Sequence, residues 1–174
     1  MSFGIDRLEQ TGKKYVINGK IVKARKKTNN KWFETQDSIS YWEDFFKPKI
    51  VWTELSDESK FAVCNDLIPL NTVFFLTGEH LNHLLGLLNS KLIHWYFTTC
   101  IGTSSGVGTN RWLKYTIEQL PLVQYTNEEL SQLVSSCLSN NKMDMIVCES
   151  KIDNLICRMY GLTEEESGFI LGNY

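Results

Sequence analysis

The stretch from Gly78 to Phe97, GEHLNHLLGLLNSKLIHWYF, carries the strongest periodic signal in the chain. Leucines and aromatic residues recur in it every three or four positions, the spacing that places side chains on one face of a helix. That face consists of Leu81, Leu84, Leu85, Leu88, Leu92, Trp95 and Tyr96. Because an apolar stripe of this width must be covered, we predict a packed helix here, with a break at Asn89-Ser90.

Short runs of β-forming residues precede this helix and predict strands. Three such runs are Ile50 to Thr53, Phe61 to Val63 and Thr72 to Leu76, and polar turns separate them. Further upstream, Tyr15 to Val22 has the pattern of a β-hairpin. Its centre, Asn18-Gly19, suits the two positive φ angles of a type I′ turn.

The tail of the chain predicts three helices with recognisable ends. Thr126 and Glu129 match a capping box for the first, Gly161 suits the position after the second, and Thr163 with Glu166 caps the last. Two short helical segments are predicted upstream, Asp37 to Phe46 before Pro48 and Ile117 to Leu120 before Pro121.

These elements together predict an α+β fold. We expect a small, mostly antiparallel sheet packed with helices, followed by a helical C-terminal tail. The predicted domain covers residues 1–125, and the tail, residues 126–174, is expected to pack on it as one compact unit.

Composition excludes several classes of protein. The chain has 174 residues, of which 43% are hydrophobic and 22% charged, as in ordinary globular domains. No apolar run approaches the roughly 18–20 residues of a membrane helix, so no membrane partner is expected. The opening MSFGIDRLEQ lacks the pattern of a secretory signal. Five cysteines without a CxxC motif predict small, buried, reduced thiols in a cytoplasmic protein.

Charge is spread unevenly along a chain whose formal net charge is only −2. Between Gly12 and Lys31 there are eight basic residues and no acidic one. From Thr126 to Tyr174, eight acidic residues face three basic ones. The basic stretch suits a polyanionic partner, although lysines in loops also serve simply as solvated surface.

Candidates for catalysis are weak. His80 and His83 are three residues apart but lack further metal ligands, so surface or helix-cap positions are the better prediction, and His94 is expected at the edge of the core. Asp44, Glu58 and Lys60 contain the E-x-K string of a metal-dependent nuclease core. Glu58 lies in a polar turn rather than on an apolar strand, which argues against a nuclease.

A Gly-rich loop offers a different chemistry. Gly102, Gly106 and Gly108 fit neither the G-x-G-x-x-G nor the P-loop pattern. The loop combines small side chains, hydroxyls and free backbone N–H groups with the basic residues that follow it, which suits close approach to a sugar-phosphate backbone or a base edge. A flexible connector between helices is the alternative.

Four stretches in order resemble one known family. They are YWEDFFKPKIVW (Tyr41 to Trp52), HLNHLLGLLNSKLIHWYF (His80 to Phe97), RWLKYTIEQLPL (Arg111 to Leu122) and IDNLICRMYGLTEEE (Ile152 to Glu166). Their order is similar to the TaqI-like C-terminal specificity domain, over roughly Asp37 to Gly172. The resemblance implies recognition of a DNA target for type II restriction–modification enzymes that fuse a methyltransferase and an endonuclease.

The resemblance implies binding without catalysis in this chain. In that family the methyltransferase lies upstream, binds S-adenosylmethionine and carries an N-P-P-[YF] motif, which is absent here. We therefore expect no cofactor in this chain, with S-adenosylmethionine and Mg²⁺ confined to the catalytic part of the parent enzyme. The expected partners are double-stranded DNA and the methyltransferase/endonuclease region of the same or a partner polypeptide.

The family supplies no base-reading residues by motif, so the candidates come from the residues themselves. Basic and amide side chains on the hairpin, its exit and the Gly-rich loop suit phosphates and base edges. They are Lys20, Lys23, Arg25, Lys26, Lys27, Asn29, Ser104, Ser105, Thr109, Asn110, Arg111 and Lys114. Two other hypotheses remain, a protein-interaction module whose acidic tail docks on a catalytic subunit, and the nuclease.

Overall fold

The chain divides into two units, Met1–Trp42 and Glu43–Tyr174. The structure, a computed structural model, describes residues 12–23, 40–70, 72–102, 110–139 and 145–174. The predicted seam between residues 125 and 126 lies inside the second unit.

Residues 12–23 of the first unit contain a hairpin. Strands β1 (Lys14–Ile17) and β2 (Lys20–Lys23) pair antiparallel. Asn18 and Gly19 both have positive φ angles, 50° and 74°, which confirms the predicted turn.

The second unit contains a three-stranded antiparallel sheet in the order β5-β3-β6. Its central strand is β3 (Lys49–Thr53), flanked by β5 (Ala62–Cys64) and β6 (Val73–Thr77). A separate two-residue ribbon pairs β4 (Leu55–Ser56) with β7 (Asn110–Arg111). The predicted antiparallel α+β fold is thus confirmed.

The long predicted helix is present and broken where the sequence indicates. Helix α1 (Leu81–Asn89) ends at Ser90, whose backbone is extended, and α2 (Lys91–Tyr96) follows. The Ser90 hydroxyl accepts a hydrogen bond from the Ile93 N–H at 3.2 Å and caps α2. One π-helical turn, Phe97–Ile101, completes the segment.

Two of the shorter helices differ from the prediction. Residues 42–46 form a 3₁₀ helix (Trp42–Phe46), and residues 37–39 of the predicted helix lie outside the described ranges. Helix α3 (Lys114–Ile117) begins three residues earlier than predicted. Leu113 is extended, and its carbonyl accepts the N–H groups of Thr116 and Ile117 at 3.0 Å, so the turn starts there.

The three tail helices are α4 (Glu128–Ser139), α5 (Met145–Met159) and α6 (Glu164–Asn173). The Thr163–Glu166 capping box and Gly161 with φ of 70° confirm two predicted ends. The predicted Thr126 cap is wrong, since the Asn127 Oδ1 accepts the Leu130 N–H at 3.0 Å. Asn and Thr are both good caps, so the residue types alone do not select between these two neighbours.

The core of the second unit lies between the sheet, the α1–α2 segment and the tail helices. Gly86 of α1 allows α4 to approach closely, because a Cβ there would lie 2.8 Å from the Val134 Cγ2. Trp112, Phe97 and Leu88 are almost completely buried in this core. No helix of the described ranges has both the length and the apolar character that a membrane crossing requires.

Cys137 and Cys148 form a disulfide between the end of α4 and the start of α5, with 6.1 Å between their Cα atoms. The prediction of reduced thiols is therefore wrong for this pair. Cys64, Cys100 and Cys157 are free thiols, as predicted, but only Cys157 is buried, since Cys64 is half-buried and Cys100 is exposed. The pairing depends on how two helices pack, which cysteine spacing does not reveal.

Candidate nucleic-acid interface

The structure describes five of the twelve predicted DNA-binding residues. Lys20 and Lys23 lie on the hairpin of the first unit, and Asn110, Arg111 and Lys114 lie together in the second. The other seven lie outside the described residues, namely Arg25, Lys26, Lys27, Asn29, Ser104, Ser105 and Thr109.

The hairpin places like charges at paired positions. Lys14 is the register partner of Lys23, and Val16 is the partner of Ile21. Two lysines at register-paired positions put two basic residues at one place on the hairpin, and a polyanionic partner would compensate their charge. Val16 and Ile21 are 73% and 72% exposed, so a cross-strand apolar pair also faces solvent.

This exposed pair and Lys14 are absent from the set predicted from the sequence. The signal that could have found them is the period-two alternation of a strand, which puts positions 14, 16, 21 and 23 on one face. Lys14 is itself exposed. One face of the β1–β2 hairpin therefore combines lysine positions with aliphatic positions.

In the second unit, the burial of Trp112 determines the orientation of Arg111, the residue before it. The Trp112 ring is 1% exposed and stacks on Phe97 with 3.7 Å between ring centroids. The Trp112 carbonyl accepts a hydrogen bond from the Trp52 Nε1–H at 2.8 Å. Because alternate residues of an extended segment point in opposite directions, burial of Trp112 holds Arg111 at the surface.

The Arg111 guanidinium is paired with a carboxylate. Its Nε–H donates to the Glu54 Oε1 at 3.1 Å, and its Nη2 donates to the same oxygen. The hydrogen bonds and then the charge of Glu54 raise the pKa of Arg111 further above its ordinary value. The pair is exposed, so another acceptor can compete for the guanidinium in water.

Asn110 and Lys114 flank this arginine. The Asn110 Oδ1 would lie 3.2 Å from a Cβ on Gly102, so the two described ends of the Gly-rich loop meet. The absence of a side chain at Gly102 permits this approach. Lys114 is exposed and makes one long contact, 3.5 Å from its Nζ to the Glu118 Oε1. The structure thus places Asn110, Arg111 and Lys114 next to one another at the end of the Gly-rich loop.

The histidines do not form a metal site. His80 is exposed at the start of α1, as predicted, but His83 is buried, contrary to the predicted surface position. The His83 Nδ1 accepts the Asn127 N–H at 3.3 Å. His94 is half-buried and stacks on Trp112, which confirms its place at the core edge. Within the described ranges, no three His, Cys, Asp or Glu residues are grouped to hold a metal.

The nuclease residues are engaged in exposed ion pairs. Asp44 pairs with Lys47 at 2.7 Å, and Lys60 pairs with Asp57 at 3.0 Å and with Glu58 at 3.6 Å. Glu58 lies in the turn between β4 and β5, as the sequence predicted, and not on a strand. These residues do not fit the Mg²⁺ site of a nuclease core, which needs carboxylates from a strand around one ion.

Charge differs in sign between the two units. The first has nine basic and four acidic residues, a formal charge of +5. The second has nine basic and sixteen acidic residues, a formal charge of −7. The attraction for a polyanion is therefore concentrated in the first unit.

Comparison with known proteins identifies one family. The family model of the TaqI-like C-terminal specificity domain matches residues 4–122, about two thirds of the chain. The match includes the basic hairpin and ends before α4, so it starts and ends earlier than the stretch predicted from the motifs. No curated protein matches the chain significantly. The chain therefore belongs to the TaqI-like C-terminal specificity domain family, which provides DNA recognition in restriction–modification enzymes.

Proposed function

We propose that the chain is the sequence-specific DNA recognition module of a type II restriction–modification enzyme. It positions DNA for a separate methyltransferase/endonuclease region, on the same or a partner polypeptide. The single observation that carries this proposal is the family match, and it covers both the basic hairpin and the Asn110–Arg111 ribbon.

The hairpin is suited to the backbone of duplex DNA. A two-stranded ribbon fits the major groove, and lysines that neutralise phosphates gain affinity through released counterions. The exposed Val16 and Ile21 side chains are of the type that contacts thymine methyl groups. The β1–β2 hairpin thus offers both phosphate contacts and an apolar contact to bases.

Arg111 is our leading candidate for reading a base. A guanidinium can donate two parallel hydrogen bonds to guanine O6 and N7, the commonest specific contact in the major groove. Its present pairing with Glu54 directs the side chain and leaves part of its donor set for DNA. We place Lys114 and Asn110 beside it as phosphate and base contacts.

Catalysis is assigned to the neighbouring region. The described residues fit no Mg²⁺ cluster, and the sequence lacks the N-P-P-[YF] motif of the methyltransferase. We propose that S-adenosylmethionine and Mg²⁺ act only there. The proposed compartment is the cytoplasm, where most protein disulfides are reduced, so the Cys137–Cys148 bond is a point to test.

The test begins with selection of duplexes from a random pool by the full chain, followed by fluorescence anisotropy on the enriched site. Replacing Lys20 and Lys23 by Gln is expected to lower the salt slope by about 0.9 for each phosphate that is no longer neutralised. Lys151→Gln, an exposed lysine of α5, is the matched control and is expected to leave the slope unchanged.

Arg111→Ala is expected to weaken binding about five- to 150-fold and to relax preference at one base pair. Glu54→Gln keeps the shape of the partner while removing its charge, and it is expected to retain base preference. If no sequence is enriched, or if every single-base variant binds Arg111→Ala as it binds the wild type, the proposed reading role of this surface is wrong.

A protein-interaction module is the second candidate, and one observation favours it. Residues 123–174 lie beyond the family match, and their helices expose acidic side chains such as Glu128, Glu129 and Glu165. Such a face would dock on a basic surface of a catalytic subunit. DNA binding that survives neutralisation of the hairpin lysines, together with failure to bind that subunit when the acids are neutralised, would favour this function.

A further inference from the structure

A cavity of about 840 Å³ lies within the second unit, and its lining does not include Asn110, Arg111 or Lys114. Its walls are α1, α2, the turn that leads into β5, the facing sides of α4 and α5, and the C-terminal end of α6. The walls from α4, α5 and α6 come from the part of the chain beyond the family match. The volume lies in the range of small-molecule sites, which span roughly 300–1,000 Å³.

One face of α5 points into this cavity. Met145, Cys148, Glu149, Ile152 and Asp153 all line it, and their spacing is that of a single helical face. Across from them, Leu85, Val134 and Leu138 supply an aliphatic wall. The lining therefore combines an aliphatic wall with ionisable side chains, namely Glu58, Lys60, Lys91, His94, Glu149 and Asp153.

Two carboxylates occupy adjacent turns of that face. Glu149 and Asp153 are four residues apart, a spacing at which like charges repel and destabilise a helix. Asp153 is 6% exposed, and one of its oxygens accepts the Lys91 N–H at 2.9 Å. Burial is the main cause that raises the pKa of the Asp153 carboxyl above its usual range. A cation beside this pair would relieve both the repulsion and the burial cost.

The positive groups of the lining already have partners. The Lys91 ammonium donates to the Leu171 carbonyl at 3.0 Å, and the Lys60 ammonium lies between Asp57 and Glu58. Counted formally, the lining holds three carboxylates, Glu58, Glu149 and Asp153, against these two ammonium groups. Among the described residues of the lining, the side chains therefore have a formal charge of −1, which a single positive charge would neutralise.

We propose that this cavity binds a small molecule with one ammonium group on an apolar body. The ammonium lies at Glu149 and Asp153, and the body packs against Leu85, Val134 and Ile152. A neutral ligand of the same shape adds no charge to the lining, and an anion is repelled by Glu149 and Asp153, so charge complementarity selects the cation. This site is independent of the DNA-binding function.

The experiment titrates the full chain with three probes of equal length and different charge, hexylammonium, hexanol and hexanoate. Backbone amide NMR shifts report where each probe binds. Hexylammonium is expected to shift the amides of Gly86, Glu149 and Ile152 and to bind at least tenfold more tightly than hexanol. Hexanoate is expected to leave these amides unshifted.

Two variants separate binding from folding. Asp153→Asn keeps an oxygen for the Lys91 N–H, and Glu149→Gln changes an exposed side chain, so both are expected to fold. Each is expected to weaken hexylammonium binding at least tenfold, whereas Glu165→Gln, an exposed acid outside the lining, leaves binding unchanged. Equal affinity for hexanol and hexylammonium, or unchanged affinity in both lining variants, would overturn the proposal.

Discussion

The two units of this chain differ in formal charge and in how much apolar surface they bury. The first has a formal charge of +5, and its described hairpin leaves Val16 and Ile21 largely exposed. The second has a formal charge of −7 and buries Trp112, Phe97 and Leu88 almost completely. The excess of basic charge and the buried apolar core are thus concentrated in different parts of the sequence.

The division has a simple cause. A lysine that neutralises a phosphate must stay in solvent until DNA arrives, so it cannot contribute to a core. The hairpin instead depends on its turn and its ladder, while the second unit depends on apolar burial. Substitutions should therefore affect stability strongly in the second unit and weakly in the hairpin.

The largest expected effect is that of Trp112→Ala. Removing a fully buried aromatic ring that stacks on Phe97 is expected to lower the free energy of unfolding by about 3–5 kcal/mol. Val16→Ala, an exposed position of the hairpin, is expected to change it by less than about 0.5 kcal/mol. Urea denaturation followed by tryptophan fluorescence and by circular dichroism measures both. Similar destabilisation in the two variants would contradict the division between the units.

Breaking the disulfide is expected to have the next largest effect. The Cys137–Cys148 bond spans a sequence separation of 11 residues in the second unit. Opening a loop of this length is expected to lower the free energy of unfolding by about 2–3 kcal/mol. The measurement compares the urea midpoint with and without dithiothreitol.

Cys137→Ser with Cys148→Ser is the control for this prediction, because dithiothreitol should no longer change its midpoint. If the wild-type midpoint is the same under both conditions, the bond does not stabilise the second unit. Stability retained without the bond would also be compatible with the reducing cytoplasm that we propose.

The smallest expected effect is a pH dependence that belongs to the second unit, which contains all three histidines. Burial lowers the pKa of His83 and of His94 below the ordinary 6.5. Below about pH 6.5 these histidines bind more protons in the unfolded chain than in the folded chain. The free energy of unfolding is therefore highest above this pH and decreases as the pH falls. The raised pKa of Asp153 acts in the opposite direction, because the folded form binds that proton more readily.

The measurement compares the free energy of unfolding at pH 7.5 and pH 5.5 for the wild type and for His83→Gln. The wild type is expected to lose stability at the lower pH, and the variant is expected to lose less. A wild-type stability that is equal at the two pH values, or that increases on acidification, would contradict the assignment of these shifts to histidine burial.

The match between sequence and structure is best where a local rule is sufficient. Asn18-Gly19, the break at Ser90 and the Thr163 capping box are set by neighbouring residues, and each is found where predicted. The cap of α4 and the start of α3 are displaced by one and three residues. Neighbouring residues of similar propensity compete at such ends, and tertiary packing chooses between them.

For the candidate interface, the sequence located the Arg111 cluster but not its partner. Glu54 is 57 residues away and meets Arg111 only because β4 pairs with β7. The pairing of Val16 with Ile21 on one face could have been predicted from the sequence, since side chains alternate between the two faces along a hairpin.

The amino-acid sequence by itself determined the three strands of the main sheet, the main helices, the antiparallel character of the sheet, the separation of charge and the resemblance to the specificity-domain family. These properties depend on local periodicity, turn chemistry and motif order. Only the tertiary structure decided the burial of His83 and Asp153, the Cys137–Cys148 bond and the cavity beside α5. Each of these requires residues distant in sequence to meet, and that meeting is fixed by packing of the whole core rather than by any local pattern.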